Sequence, residues 1–176
     1  FDDCSAKDLS GNGNDGIIYG AKCVDGKFGK ALRFDGVDDY VEVADDDSLD
    51  ITKAITLEAW IKPAGTQNKY ARIIFKGVGE STWAYGLAYD VTGKKMRILT
   101  YTYTTGRVES LSEDDITSPK WYHIVGVYDG NVQRLYINGI EVDSDAQSGD
   151  LRNAGKLGIG AQAENVKYFF NGIIDE

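Results

Sequence analysis

Histidine, methionine and proline are nearly missing from this chain of 176 residues, which holds one, one and two of them. A single histidine leaves no histidine pair for a transition metal and few parts for a Ser-His-Asp or Cys-His arrangement. Helical periodicity is nearly absent, and no apolar run approaches the ~20 residues of a membrane span. No signal peptide leads the chain, which opens on Phe1 rather than Met, so a processed form or a piece of a longer protein is expected. Basic residues are the minority: 19 Lys and Arg stand against 28 Asp and Glu, for a net charge of −9. Nucleic acid needs a basic stripe, so that class is set aside, and anionic membranes are disfavoured. The acids are scattered through turns, where they suit solvated surface and also divalent cations.

What is present is β-forming. Hydrophobic residues make up 42% of the chain, with 11 Tyr and 21 Gly, a globular composition with room for one sizeable core. "ITLEAWIKP" (Ile55 to Pro63) sets Ile55, Leu57, Ala59 and Ile61 on one face against Thr56, Glu58, Trp60 and Lys62. Strands are also predicted at Tyr70 to Gly77, Trp83 to Asp90, within Lys94 to Gly106, and at Trp121 to Val127. The last of these is apolar on both faces, which predicts a central strand covered on both sides. Asp129-Gly130-Asn131 turns the chain into Val132 to Ile137, and Asn138-Gly139 predicts a type I′ hairpin turn. Further short strands are predicted at Ile17 to Tyr19, Ala31 to Phe34, Tyr40 to Val43, Val108 to Leu111, Lys156 to Ile159 and Tyr168 to Phe170. "FNGIIDE" at the end reads as a turn at Asn171-Gly172 followed by the start of a strand. About a dozen short strands with turn signals between them describe an all-β, antiparallel two-sheet jelly-roll sandwich. No linker, low-complexity tract or internal repeat divides residues 1–176, so one domain is expected. Cys4 and Cys23 are read as a disulfide worth ~3 kcal/mol in an oxidising compartment, or as two free thiols.

"DLSGNGNDG", "GKFGKALRFDGVDDYVEV", "ITLEAWIKP", "WYHIVGVYDG", "LYINGIEV" and "FFNGIIDE", in that order, resemble the laminin-G-like domains of the concanavalin A-like lectin/glucanase superfamily. The resemblance implies two large antiparallel sheets, one convex and one concave. It also implies more strand residues beyond Glu176, so an end there means either trimming or an open edge that a neighbouring chain would pair. In similar folds a structural calcium joins the chain ends, which maps here to Asp2 or Asp3, to Gly36 and to Asp175. Calcium takes six to eight oxygens, often gathered by turns. A second, weaker place is Asp8, Ser10, Asn12 and Asn14, which alternate like the opening of an EF-hand loop but lack a Glu at the twelfth position. The same residues also read as a turn whose side chains bond the backbone.

The glycoside hydrolases of the superfamily carry paired carboxylates on one strand, and no strand here offers them. Glu58 stands alone, the acids of Val108 to Thr117 fall in a polar, turn-rich stretch, and His123 reads as a satisfied, semi-buried histidine. Sugar sites use aromatic faces beside hydrogen-bonding groups. Trp83 and Tyr85 alternate on one strand, and Arg97, Leu99, Tyr101 and Tyr103 share parity on another. Trp83, Tyr85, Arg97, Tyr101 and Tyr103 are therefore the candidate binding set, with core packing as the competing role. Trp60 and Trp121 are assigned to packing. The reading is a non-catalytic extracellular or cell-surface recognition module, calcium-stabilised and carbohydrate-binding. Its rivals are a structural or adhesive module that contacts protein and, third, a glycosidase-like enzyme. Glycan or a cell-surface protein is the expected partner.

Overall fold

Local alternation predicts strands, and strands are what form. The computed structural model describes residues 1–79, 82–153 and 155–176. The chain begins with β1 (Gly16–Tyr19), β2 (Lys22–Asp25), β3 (Lys30–Asp35) and β4 (Tyr40–Val43), then one 3-10 turn (Asp47–Leu49). β5 (Ile55–Pro63), β6 (Arg72–Gly79), β7 (Thr82–Tyr89), β8 (Met96–Thr102) and β9 (Gly106–Leu111) follow. β10 (Tyr122–Tyr128), β11 (Val132–Ile137), β12 (Ile140–Ala146), β13 (Leu157–Ile159) and β14 (Asn171–Asp175) complete it. Two seven-stranded sheets result, ordered β1-β4-β13-β6-β7-β8-β9 and β12-β11-β10-β5-β14-β3-β2. We call them the front and back sheets. Their inner faces meet in a core that includes Phe34, Ile61, Ile73, Leu87, Ile98, Ile124, Leu135, Phe170 and Ile174. This is the two-sheet jelly-roll sandwich expected from the alternation.

Turn chemistry places the hairpins. Asn138 and Gly139 both take positive φ, 53° and 80°, as a type I′ turn requires, and they set Ile137 opposite Ile140. In the turn before it, the Asp129 carboxylate accepts the backbone N–H groups of Asn131 and Val132, both at 2.9 Å. Cys4 and Cys23 form the disulfide, tying the N-terminal segment to β2.

Several expectations are corrected. Tyr168 to Phe170 is loop rather than strand, and Asn171-Gly172 is not a turn but the opening of β14. Gly172 takes φ 151° with the Lys62 carbonyl oxygen pressed where a Cβ would go, so glycine is there for close approach of backbones. β14 pairs with β3 on one side and β5 on the other. The final strand is thus interior to the back sheet and presents no open edge. β10 is central, but its outward residues His123, Val125 and Val127 are only half-buried. β7 and β8 are buried on both faces. β2 escaped the periodicity reading because four residues with two charges carry no alternation to detect.

Candidate ligand-binding site

Double burial of β7 and β8 means that something covers the outer face of the front sheet. A separate apolar cluster of Phe75, Trp83, Ala88 and Leu99, with Tyr101 against it, lies there. Two bulges build it. Between the pairs Arg72–Ala88 and Ile74–Leu87 the register slips at Ile73, so Arg72 and Phe75, three residues apart, both face outward. A second slip leaves Ala84 between the pairs Lys76–Tyr85 and Gly77–Trp83, so Trp83 faces out while Tyr85 turns into the core.

The predicted set divides accordingly. Tyr85 is core, 2 % exposed, with its hydroxyl donating to the Leu49 carbonyl at 2.8 Å. Trp83, Arg97 and Tyr101 share the outer face, Trp83 and Tyr101 edge to face at 5.6 Å. Tyr103 lies past the end of β8, exposed, with the Arg152 guanidinium 5.5 Å from its ring. Six residues outside that set complete a pocket of about 120 Å³: Tyr70, Arg72, Leu99, Arg107, Glu109 and Tyr168 join Trp83 and Arg97. Glu109 belongs to β9 and faces the pocket, not a polar turn. An arginine within the apolar run "YARIIFKG" was the signal for Arg72, and Gly77 at the end of that run, with Gly79 just after it, was the signal for a bulge. Tyr168 had no sequence signal, since it arrives from a loop far along the chain.

The pocket is electrostatically unbalanced. Arg97 bonds one Glu109 oxygen at 2.7 Å through Nη1, and Arg107 Nε donates to the other at 2.7 Å. Both carboxylate oxygens are therefore engaged. Arg72 has aromatic neighbours instead, its guanidinium 4.1 Å from the Phe75 ring and 5.1 Å from Tyr168. Among the described residues, Arg72 Nε and Nη1 and Arg97 Nε are buried with no hydrogen-bond partner. Burial, with the Arg97 cation adding to it, pushes Arg72 down to about 9, so it remains a cation at pH 7. Among the described residues, three guanidinium groups face one carboxylate, an excess of two positive charges in a protein of net charge −9.

The tyrosine walls are held under strain. Tyr70 and Tyr168 adopt φ of 63° and 64°, costly for a bulky residue, and their rings meet edge to face at 5.7 Å. Backbone bonds keep them there: Tyr70 N–H donates to the Asp90 carbonyl, and Arg72 N–H to that of Tyr168, both at 2.9 Å.

Of the expected calcium ligands, Asp2 and Asp175 come to one turn, and Gly36 lies apart from them. Asp175 and Asp2 both lie against the turn between β2 and β3: Asp175 Oδ2 accepts the N–H groups of Lys27 and Phe28 at 2.6 and 3.0 Å, and Asp2 Oδ1 that of Lys30 at 3.2 Å. Gly36 follows the far end of β3, six residues or roughly 20 Å away. Asp3 is spent locally on Ser5. In the second candidate, Asp8 accepts from Ser10 and from the Asn14 N–H, Ser10 Oγ accepts from Asn12, and Asn14 donates to Ser48. That is the backbone-bonding turn, and those bonds lower Asp8 to about 2. Asp35, Asp38 and Asp39 do bring carboxylate oxygens within 4.8 Å of one another, beside Gly36. Asp35 and Asp39 already accept backbone N–H groups of their own turn.

Two other features mark the surface. Glu58 is not alone: on the outer face of the back sheet its Oε1 lies 2.6 Å from His123 Nε2. There Trp60 stacks on His123 at 4.8 Å and meets Phe28 edge to face at 5.8 Å, so Trp60 is a surface residue rather than core. A groove of about 810 Å³ runs between the N-terminal segment and the strand pair β4 and β13. Its walls are inward apolar side chains such as Val41 and Ile159 and the self-bonded Asp8 turn, with no stacked aromatics or converging cations.

A family model described as the concanavalin A-like lectin/glucanases superfamily, of laminin-G type, matches residues 35–176. The chain belongs to this family. No curated protein matches it in sequence. Among solved structures it is similar to domain 4 of AbnA, a GH43 extracellular arabinanase from Geobacillus stearothermophilus, in complex with arabinotriose. That match has a TM-score of 0.80 at 21% identity and covers 99% of this chain and 86% of the other. The binding domain of Paraclostridial Mosquitocidal Protein 1 is similar at a TM-score of 0.71 and 18% identity, covering 96% and 45%. Domains LG4-5 of the mouse laminin alpha1 chain follow at 0.63 and 11%, covering 88% and 40%. At these identities the likeness is one of fold.

Proposed function

We propose that this chain is a non-catalytic carbohydrate-recognition module of an extracellular protein, binding saccharide on the outer face of the front sheet. One observation carries the reading: the pocket where Tyr70, Tyr168 and Trp83 stand around buried guanidinium groups. Flat apolar rings beside fixed donors are what a sugar needs, since its ring has apolar faces and its rim carries hydroxyls. Arabinotriose in the AbnA domain of similar fold supports the substrate class. Non-catalytic action follows from the acid present, because Glu109 has both oxygens held by arginines and, among the described residues, no second carboxylate lines the pocket. The disulfide supports an oxidising, extracellular setting. Calcium belongs to the proposal only as a stabiliser, with Asp35, Asp38 and Asp39 the carboxylates able to share an ion.

A glycan array run in calcium and again in chelator tests this. Binding to a saccharide class is expected in both conditions, and Tyr168→Ala should weaken it by about tenfold, as loss of an aromatic platform does. Binding that Tyr168→Ala leaves intact would move the site elsewhere. Silence across the array from folded protein would favour the second reading, a protein-contacting adhesive module. Its specific support is the Phe28, Trp60 and His123 patch on the back sheet, where Phe28 is 53 % exposed.

A further inference from the structure

We infer that the saccharide is anionic, and that Arg72 and Arg97 bind its carboxylate or sulfate oxygens. The inference rests on the carbohydrate reading and deepens it. A neutral sugar gives no reason to bury uncompensated cations. Arg72 is 8 % exposed and Arg97 3 %, and a buried cation without its counter-charge is destabilising. Glu109 neutralises one charge, shared between Arg97 and Arg107, and leaves Arg72 with only ring faces. Three guanidinium nitrogens have no hydrogen-bond partner among the described residues, and both arginines line the same pocket. Guanidinium forks match the two oxygens of a carboxylate or sulfate.

Size and shape agree with that assignment. About 120 Å³ is well below the roughly 300 Å³ at which whole-ligand pockets begin, so the pocket takes one substituent and a ring edge, with the rest of the glycan outside. The strained Tyr70 and Tyr168 stand where the ring of such a sugar would lie. A free anion would use the arginines alone and gain nothing from those walls.

The test is titration calorimetry of the 176-residue chain with trigalacturonic acid, its methyl ester, galactose 6-sulfate, galactose, and arabinotriose. The expected result is binding of an acid that is about 10- to 100-fold tighter than that of its neutral counterpart, as loss of a charged pair implies, and that falls with added salt. Preference within the galacturonate pair identifies a carboxylate, and preference within the galactose pair a sulfate. Arg72→Lys and Arg97→Lys should each lose most of the preference. Should either variant fail to fold, nitrogen-labelled arginine spectra of the unaltered protein serve instead, with the Nε–H signals of Arg72 and Arg97 shifting on addition of the acid. Equal affinity for an acid and its neutral form would overturn the inference and leave carbohydrate binding standing. No binding of any of the five, with unmoved arginine signals, would overturn both.

Discussion

Asp175 shows how much one carboxylate can tie together. It is 1 % exposed, and its Oδ2 holds the N–H groups of Lys27 and Phe28, so it fastens the β2–β3 turn to the last strand. Charge-assisted bonds to a buried carboxylate are worth about 1.5–3 kcal/mol. Asp175→Ala is expected to lower stability by about 2–3 kcal/mol on that scale, seen as a lower urea midpoint with an unchanged slope. The loss should be equal in calcium and in chelator, and a loss confined to calcium would return Asp175 to a metal. That Asp175 matters was legible. Its partner was not, because the turn lies 147 and 148 residues away.

The elements were legible where their signals are local. β5 follows its alternation residue for residue, and the β11–β12 turn follows from Asn138-Gly139. Bulges break that logic: one unpaired residue reverses which face every later side chain takes, which is why Trp83 and Tyr85 part company. The disulfide acts at the same scale. Cys4 and Cys23 are 19 residues apart, and a closed loop of that length stabilises by about 3 kcal/mol through the unfolded chain. Reduction should therefore lower the denaturation midpoint by that free energy while leaving the far-ultraviolet β signature unchanged. Collapse of that signature on reduction would show that the N-terminal segment is needed to assemble the sheets.

At the scale of the whole molecule, the core contains phenols that must stay neutral. Burial raises Tyr85 and Tyr89 far above their ordinary range, and each donates its proton to a carbonyl, Leu49 at 2.8 Å and Ile116 at 2.7 Å. In the unfolded chain they ionise near pH ~10. A folded value above the unfolded one means the contribution is full below that pH and is lost as the pH rises past it. The protein should thus lose stability above pH ~10, with phenolate absorbance from these two tyrosines appearing only as near-ultraviolet dichroism disappears. Phenolate from Tyr85 or Tyr89 in the folded state would contradict the packing of both sheets. The sequence by itself determined the all-β class, most strands, the hairpin turns and the family resemblance, because apolar alternation and turn preference are properties of neighbouring residues. Tertiary structure decided the site. Arg72, Arg97 and Glu109 meet through strand pairing and a register slip, Tyr168 reaches them from a loop, and burial of the two arginines leaves charge unbalanced there among the described residues.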